Sequence, residues 1–420
     1  MSQTPLTRSS FVRKAGLAIA AASGVSVPEI VLRRSPTFAA GNTIRIGILY
    51  SLSGTIAIIE KSLHDAALMA IDEINAKGGI DGRKIEPVIK DPASDPNVFN
   101  EKAKELVEQD RVNLIMGCYT SASRKAVLPV VERENALLWY PTLYEGEECS
   151  SNVIYTGQVP NQQLERFVPY IVKSRGRKVY LIGSNYIYPK VTNQAVKALL
   201  AKNGGTVAGE EYAPLGTSEF STTINKIARA KPDAVFSDLV GDSVVAFYKQ
   251  YRDAGITSHD IPIYSPITTE EEIQAMGPEN AVGHYTSFDY FQSIDTVENK
   301  AFVANFKSRY GKDRVTNAVM HAAYFQTFLL AQAIAKAHST ETTAVRKGAL
   351  GQSFKSPEGI VSIDARNQHT SLFERVGRAN DRGQFDIVYD SKHSIAPQPW
   401  FSPLYPHLTC DHSRGGTVKI

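Results

Sequence analysis

Five short stretches combine hydroxyls, aromatic rings and few titratable groups in a way that suits recognition of a small polar molecule. They are "YSLSGT" (50–55), "GCYTSAS" (117–123), "YPTLYEG" (140–146), "SNYIYP" (184–189) and "VGDS" (240–243). Between them they supply Ser51, Ser53, Thr55, Tyr119, Ser121, Tyr140, Thr142, Tyr186, Tyr188 and Asp242. None contains a histidine, so a Ser/His/Asp relay would have to borrow one of nine scattered elsewhere. The chain has no GxSxG elbow, no HExxH, no GxxxxGK[ST] and no GxGxxG after a strand. Its three cysteines (Cys118, Cys149, Cys410) lack CxxC or Cys/His metal spacing. The inventory fits binding without a catalytic residue, a metal or a cofactor. Each position also has a plainer reading: Asp242 and Ser121 are good helix N-caps, and tyrosines at strand ends are common rim residues.

The elements around these stretches explain why they belong together. "TIRIGILY" reads as a strand, "SLHDAALMAIDEINAKGG" as an amphipathic helix ending on glycine, "KIEPVIKD" as a strand, "NEKAKELVEQD" as a helix and "VNLIMG" as a buried strand. The rhythm restarts at "KVYLIGSN" and runs on to "DAVFSDLVG". Apolar strands alternating with helices predict parallel sheets covered on both faces. At 420 residues the chain is long enough for two such units. Ligands of open α/β sheets bind beyond the carboxyl ends of the strands, and that is where all five stretches fall.

Charge excludes one class of partner. Residues 1–40 hold five cations and one anion, which leaves 41 cations against 42 anions in the rest of the chain. A neutral body argues against nucleic acid. The first 40 residues have a basic start ("TRSSFVRK"), an apolar run ("AGLAIAAASGVSV") and a small-residue exit near "TFAA", the parts of a secretory signal peptide. The apolar run is shorter than the roughly 20 residues of a membrane span. Ser9 stands where a twin-arginine signal would have its second Arg. One cysteine pair could bridge after export; the reading favours Cys118 and Cys149 as small buried fillers.

Several motifs then coincide with one known family. "RIGILYSLSGTIAI", "GCYTSASRKAVLPV", "YPTLYEGEECS", "VIYTGQVPNQQ", "EEYAPLGTSEF", "GDSVVAFYKQ", "GPENAVGHYTSFDYFQSIDT" and "GQSFKSPEGIVSIDARNQHT" together resemble the periplasmic urea-binding proteins of ABC transporters. Short-chain amide-binding proteins and the amide sensor of amidase operons are near relatives of that family. The resemblance runs from residue 43 to about 405 and implies an α/β type I periplasmic-binding fold, two Rossmann-like lobes joined by three crossovers. It places lobe 1 at 43–157 and 286–352, lobe 2 at 158–285 and 353–400, and leaves 401–420 as a C-terminal tail.

The resemblance also implies a ligand set of Tyr119, Ser121, Tyr140, Thr142, Tyr186 and Tyr188, with Asp242 opposite as acceptor for an NH₂ group. "YPTLYEG" is nearer the amide sensors than the urea proteins, and Ile59 stands where the urea proteins usually carry serine. The implied protein is a soluble periplasmic monomer that captures urea, or alternatively a short aliphatic amide, and hands it to ABC-transporter permease subunits. A cytoplasmic amide-sensing regulator would lack the leader, and a hydrolase would need a nucleophile or metal cluster that the loops do not hold.

Overall fold

A buried parallel strand must be apolar on both faces, and the sequence meets that demand twice. The structure, a computed structural model, describes residues 43–420, so the expected signal peptide lies outside the described residues. The first five strands are β1 (Thr43–Leu49), β2 (Lys84–Lys90), β3 (Leu114–Gly117), β4 (Leu137–Tyr140) and β5 (Val153–Tyr155). They form one parallel sheet in the order β2-β1-β3-β4-β5. Every residue of β3, β4 and β5 is buried, as a sheet covered on both sides requires.

Three helices connect these strands: α1 (Ala57–Ala76), α2 (Pro96–Lys104) and α3 (Ser121–Arg133). In α1 the buried positions Ile59, Leu63, Ala66, Ala67, Ala70, Ile71 and Ile74 recur at helical spacing and form one apolar face. Gly78 and Gly79, both at positive φ, end it.

The chain then enters a second sheet through α4 (Phe167–Ser174). Four parallel strands and their helices follow: β6 (Lys178–Ser184), α5 (Ile187–Lys202), β7 (Thr206–Ala213), α6 (Ser221–Ala230), β8 (Ala234–Asp238), α7 (Asp242–Asp253) and β9 (Ile263–Ser265). After α8 (Glu270–Met276) and α9 (Pro278–Ala281), β10 (Tyr285–Phe288) joins in parallel.

From β10 the chain returns to the first sheet's layer through α10 (Val297–Tyr310), α11 (Ala318–Ala337) and α12 (Thr342–Ala349), with α11 packed along α1. Helix α11 has the length and composition of a membrane span, but nearly all of it is buried inside the protein, which makes it a core helix.

A small antiparallel sheet, β11 (Ser353–Ser356), β12 (Gly359–Ile363) and β13 (Thr370–Ser371), precedes the last passage. Then β14 (Arg375–Ala379) and β15 (Phe385–Asp390) complete the second sheet antiparallel, in the order β15-β14-β10-β9-β8-β6-β7.

The C-terminal tail beyond residue 400 includes a hairpin of β16 (Leu408–Asp411) and β17 (Gly416–Lys419). Cys410 in β16 is bridged to Cys149, 261 positions away, so Cys149 is not the small buried filler that was expected. Cys118 is buried and free, as expected of a filler.

A crosslink over so long a loop restricts the unfolded chain strongly. Replacing both cysteines (Cys149→Ser with Cys410→Ser) is expected to lower the unfolding free energy by about 2–4 kcal/mol. Chemical denaturation with and without reductant checks this: the reductant should shift the wild-type midpoint and leave the double variant where it was.

Candidate functional site

The turn from β3 into α3 is held by an unusually complete set of hydrogen bonds. Cys118 takes a left-handed conformation (φ 67°) while its N–H donates to Leu49 O at 3.0 Å. Thr120 caps α3 by accepting from the Ser123 N–H at 3.0 Å. Behind the turn lies Arg124, fully buried. Its Nε donates to Glu148 at 2.9 Å, Nη2 to Glu145 at 3.0 Å and Nη1 to the Ser121 hydroxyl at 3.0 Å. The guanidinium also lies 4.3 Å from the centre of the Tyr144 ring. Ser121 in turn donates to Glu145, and Tyr155 donates to Glu148 at 2.8 Å. Burial alone would raise the Glu148 carboxyl; Arg124 and Lys125 overcome it and hold the group at about 2.

These bonds sort the expected site residues into three sets. The hydroxyls of Ser121, Tyr140 and Thr142 serve the scaffold: Ser121 is committed to Glu145 and Arg124, Tyr140 donates to Tyr119 O at 2.8 Å, and Thr142 reaches Cys118 O at 3.5 Å. Tyr119, Tyr186 and Tyr188 form a second set at the carboxyl ends of β3 and β6. Tyr186 and Tyr188 lie 6.3 Å apart, and each falls within the electrostatic reach of Tyr119. The Tyr188 hydroxyl is buried without a hydrogen-bond partner.

Asp242 stands alone as the third case. Its side chain is exposed at the first position of α7, and only its backbone N–H crosses to the first sheet, donating to Thr55 O at 3.2 Å. The carboxylate that the tyrosines face is Asp238, the last residue of β8. It is fully buried, neither oxygen has a partner, and it acts electrostatically on both Tyr186 and Tyr188. Burial pushes its carboxyl well above the ordinary range. Sequence reasoning passed over it inside "AVFSDLV", although an acid closing an apolar strand at the ligand-binding edge was the available signal.

The loops of the two sheets touch over this group. Gly241 (φ 62°) leaves no room for a side chain, since an added Cβ would stand 2.5 Å from Thr55 O, and Gly216 packs on the same threonine. Ser51 and Ser53 belong to the support: the Ser51 hydroxyl accepts from Ser94 N–H at 2.9 Å, and Ser53 donates to Asp91 at 2.9 Å. Two more buried acids, Glu272 and Glu60, act on Tyr119. Burial raises each to about 7. The set around the tyrosines is therefore acidic, and the buried cation beside it, Arg124, is already neutralised by two glutamates.

Two sheets of mainly parallel strands, with polar groups converging at their carboxyl ends, define the type I periplasmic-binding fold. The chain belongs to the periplasmic binding protein domain family, whose profile matches residues 44–405. It is 27% identical over 354 residues to the Leu/Ile/Val-binding protein homolog 6 of Brucella suis biovar 1, covering 81% of this chain and 89% of that one.

Among solved structures it resembles an ABC-transporter solute-binding protein from R. palustris in complex with benzoate. The TM-score is 0.77 at 20% identity, over 84% of this chain and 98% of that one. It also resembles a branched-chain amino acid transporter substrate-binding protein from Streptococcus pneumoniae in complex with isoleucine. Here the TM-score is 0.73 at 22% identity, over 84% and 100%. The protein is thus a solute-binding protein of the periplasmic-binding type and not an enzyme.

The buried acids give stability a pH dependence. Glu272 has its folded value raised from 4.5 to about 7, so between those limits the folded chain holds a proton that the unfolded chain has lost. Stability from this group is complete below pH 4.5 and is lost as pH rises towards 7. Histidines 284 and 369, buried neutral with values near 3, oppose this trend below their ordinary 6.5. Comparison with Glu272→Gln isolates the acid. The variant keeps a partner for the Thr269 cap and is expected to show a flatter fall of the thermal midpoint from pH 5 to pH 7.5 than the wild type.

Proposed function

We propose that this receptor binds a small neutral amide, urea first, between Asp238 and the β3–α3 turn, and delivers it outside the cytoplasmic membrane to the permease of an ABC importer. The observation that carries the reading is Asp238, buried with two unpartnered oxygens. Burying such a carboxylate without donors costs several kcal/mol. Urea presents two parallel N–H bonds along one edge, one for each oxygen. Its flat face suits the rings of Tyr119, Tyr186 and Tyr188. Its carbonyl can accept from the first-turn N–H groups of α3, which no intrahelical carbonyl satisfies.

The electrostatics favour this class over the ligands of the relatives. Branched-chain amino acids and benzoate carry a carboxylate, and the buried cation beside the tyrosines, Arg124, is already paired with Glu145 and Glu148. A short aliphatic amide is the second reading, and the raised value of Asp238 is what favours it. A protonated Asp238 offers one O–H and one C=O, the complement of a primary amide's C=O and N–H.

Calorimetric titration of leader-free protein, stripped of bound ligand by unfolding and refolding, separates the readings. Urea is expected to bind more tightly than acetamide, and leucine and benzoate weakly; tighter binding of leucine or benzoate would overturn the proposal. Asp238→Asn removes one of the two acceptors and should weaken urea by roughly 10- to 100-fold. Acetamide should lose less, because the asparagine amide still matches its edge. Asp242→Ala, on the exposed rim, should leave both affinities within about threefold.

A further inference from the structure

Away from the ligand cleft, three acceptor groups converge in the buried seam where the chain passes between the two sheets. Asp289 follows β10, His321 lies in the first turn of α11, and Glu358 lies in the turn between β11 and β12. All three are buried, with exposures of 4%, 0% and 2%. One oxygen or nitrogen from each lies within 4.8 Å of those of the other two.

The hydrogen bonds around His321 decide which nitrogen is free. The Ser356 hydroxyl donates to Gly359 O at 2.9 Å, so it meets His321 Nε2, 3.3 Å away, as an acceptor, and Nε2 carries the proton. The lone pair is then on Nδ1, which has no hydrogen-bond partner and stands 3.9 Å from Asp289 Oδ2. Neither oxygen of Glu358 is hydrogen-bonded. Its nearest opposite charge is Arg375 Nη1 at 3.5 Å, and that guanidinium is spread thin. Nη1 also donates to Asp289 O, Nη2 donates to Glu358 O at 3.1 Å, and Nε faces Asp390 at 3.2 Å. Two carboxylates, Glu358 and Asp390, thus share this guanidinium, which reaches Asp289 only at its backbone carbonyl, and the His321 lone pair lies beside the Asp289 carboxylate. Tyr290, stacked at 4.6 Å and 11° on the imidazole, fixes the ring plane.

We propose that Asp289, His321 and Glu358 form a structural site for a divalent transition-metal ion, zinc by preference, bound through Asp289 Oδ2, His321 Nδ1 and Glu358. One imidazole and two carboxylates are an accepted zinc donor set. Bonds of about 2.0–2.2 Å put ligand atoms roughly 3.3 Å apart, a modest inward turn from the distances found. The Ser356 oxygen supplies the outer hydrogen bond that metal-binding imidazoles regularly make. The ion would balance the excess negative charge and clamp together three segments that cross between the sheets. The rival arrangement is a pair of carboxylic acids sharing protons with the imidazole; burial, which raises Asp289 to about 7, would serve that state too.

Elemental analysis of the untagged protein, prepared without chelator and with its disulfide intact, tests this. One equivalent of zinc per chain is expected. After unfolding in EDTA and refolding with Co²⁺, the visible absorption of a low-coordinate cobalt site should appear. Both signals should vanish in Asp289→Asn and Glu358→Gln and persist in His412→Ala, which alters the other cysteine–histidine cluster, at Cys149–Cys410. Should the core variants fail to fold, the wild-type thermal midpoint reports directly, rising when zinc is present on refolding. Protein that holds less than a tenth of an equivalent both as isolated and after refolding in zinc, with an unmoved midpoint, overturns the site in favour of shared protons. So does metal retained by Glu358→Gln.

Discussion

A fully buried guanidinium is tolerated only if anions and acceptors surround it, and much of the binding edge of the first sheet is built to meet that condition at Arg124. Glu145 and Glu148 come from a stretch without regular secondary structure, residues 141–150. Such a segment, buried throughout most of its length, would otherwise have little to fix its path. Pairing both acids to Arg124 of α3 ties that segment to the helix start, and Ser121 closes the ring from the helix side. The β3–α3 turn is therefore positioned by buried charges behind it.

That division of labour explains what could be read from the chain alone. The alternation of apolar strands and amphipathic helices was plain, because a parallel sheet buried on both faces demands it, and the edge at which the five stretches converge followed from topology. Individual roles did not follow. A hydroxyl in a strand-to-helix turn looks the same whether it will face a solute or bond to the neighbouring carbonyl, so Tyr140 and Ser121 could not be told from Tyr119. Asp242 was conspicuous because it follows glycine at a helix start, whereas Asp238 sat at the end of a mostly apolar strand, between Ser237 and Leu239. Nothing in the spacing linked Cys149 to Cys410, since they stand 261 positions apart and only the finished fold brings their Cα atoms to 5.6 Å.

The relatives share the scaffold but need not share the electrostatics. A type I receptor selects its solute with the few side chains at the strand ends, and these can change while the sheets do not. Receptors for carboxylates must place donors or cations there. Here the groups nearest the tyrosines are acids, and the buried cation belongs to the scaffold. Overall identity near 20–27% therefore says little about which solute those side chains select.

The same groups bear on how closure and binding are linked. Across the rim, the backbone bond from Asp242 N–H to Thr55 O joins the loops of the two sheets, and one such bond contributes about 1 kcal/mol. Gly241 permits that approach but adds no apolar contact of its own. Asp238 pulls the other way in an empty closed cleft, because closing removes water from a carboxylate that no protein donor replaces. A solute that supplies two N–H groups on the second-sheet side and accepts from the α3 turn on the first reverses the sign of that contribution. The closed form is then favoured only when both sheets hold the same molecule, which is the discrimination a permease requires of a receptor that reports occupancy by its shape.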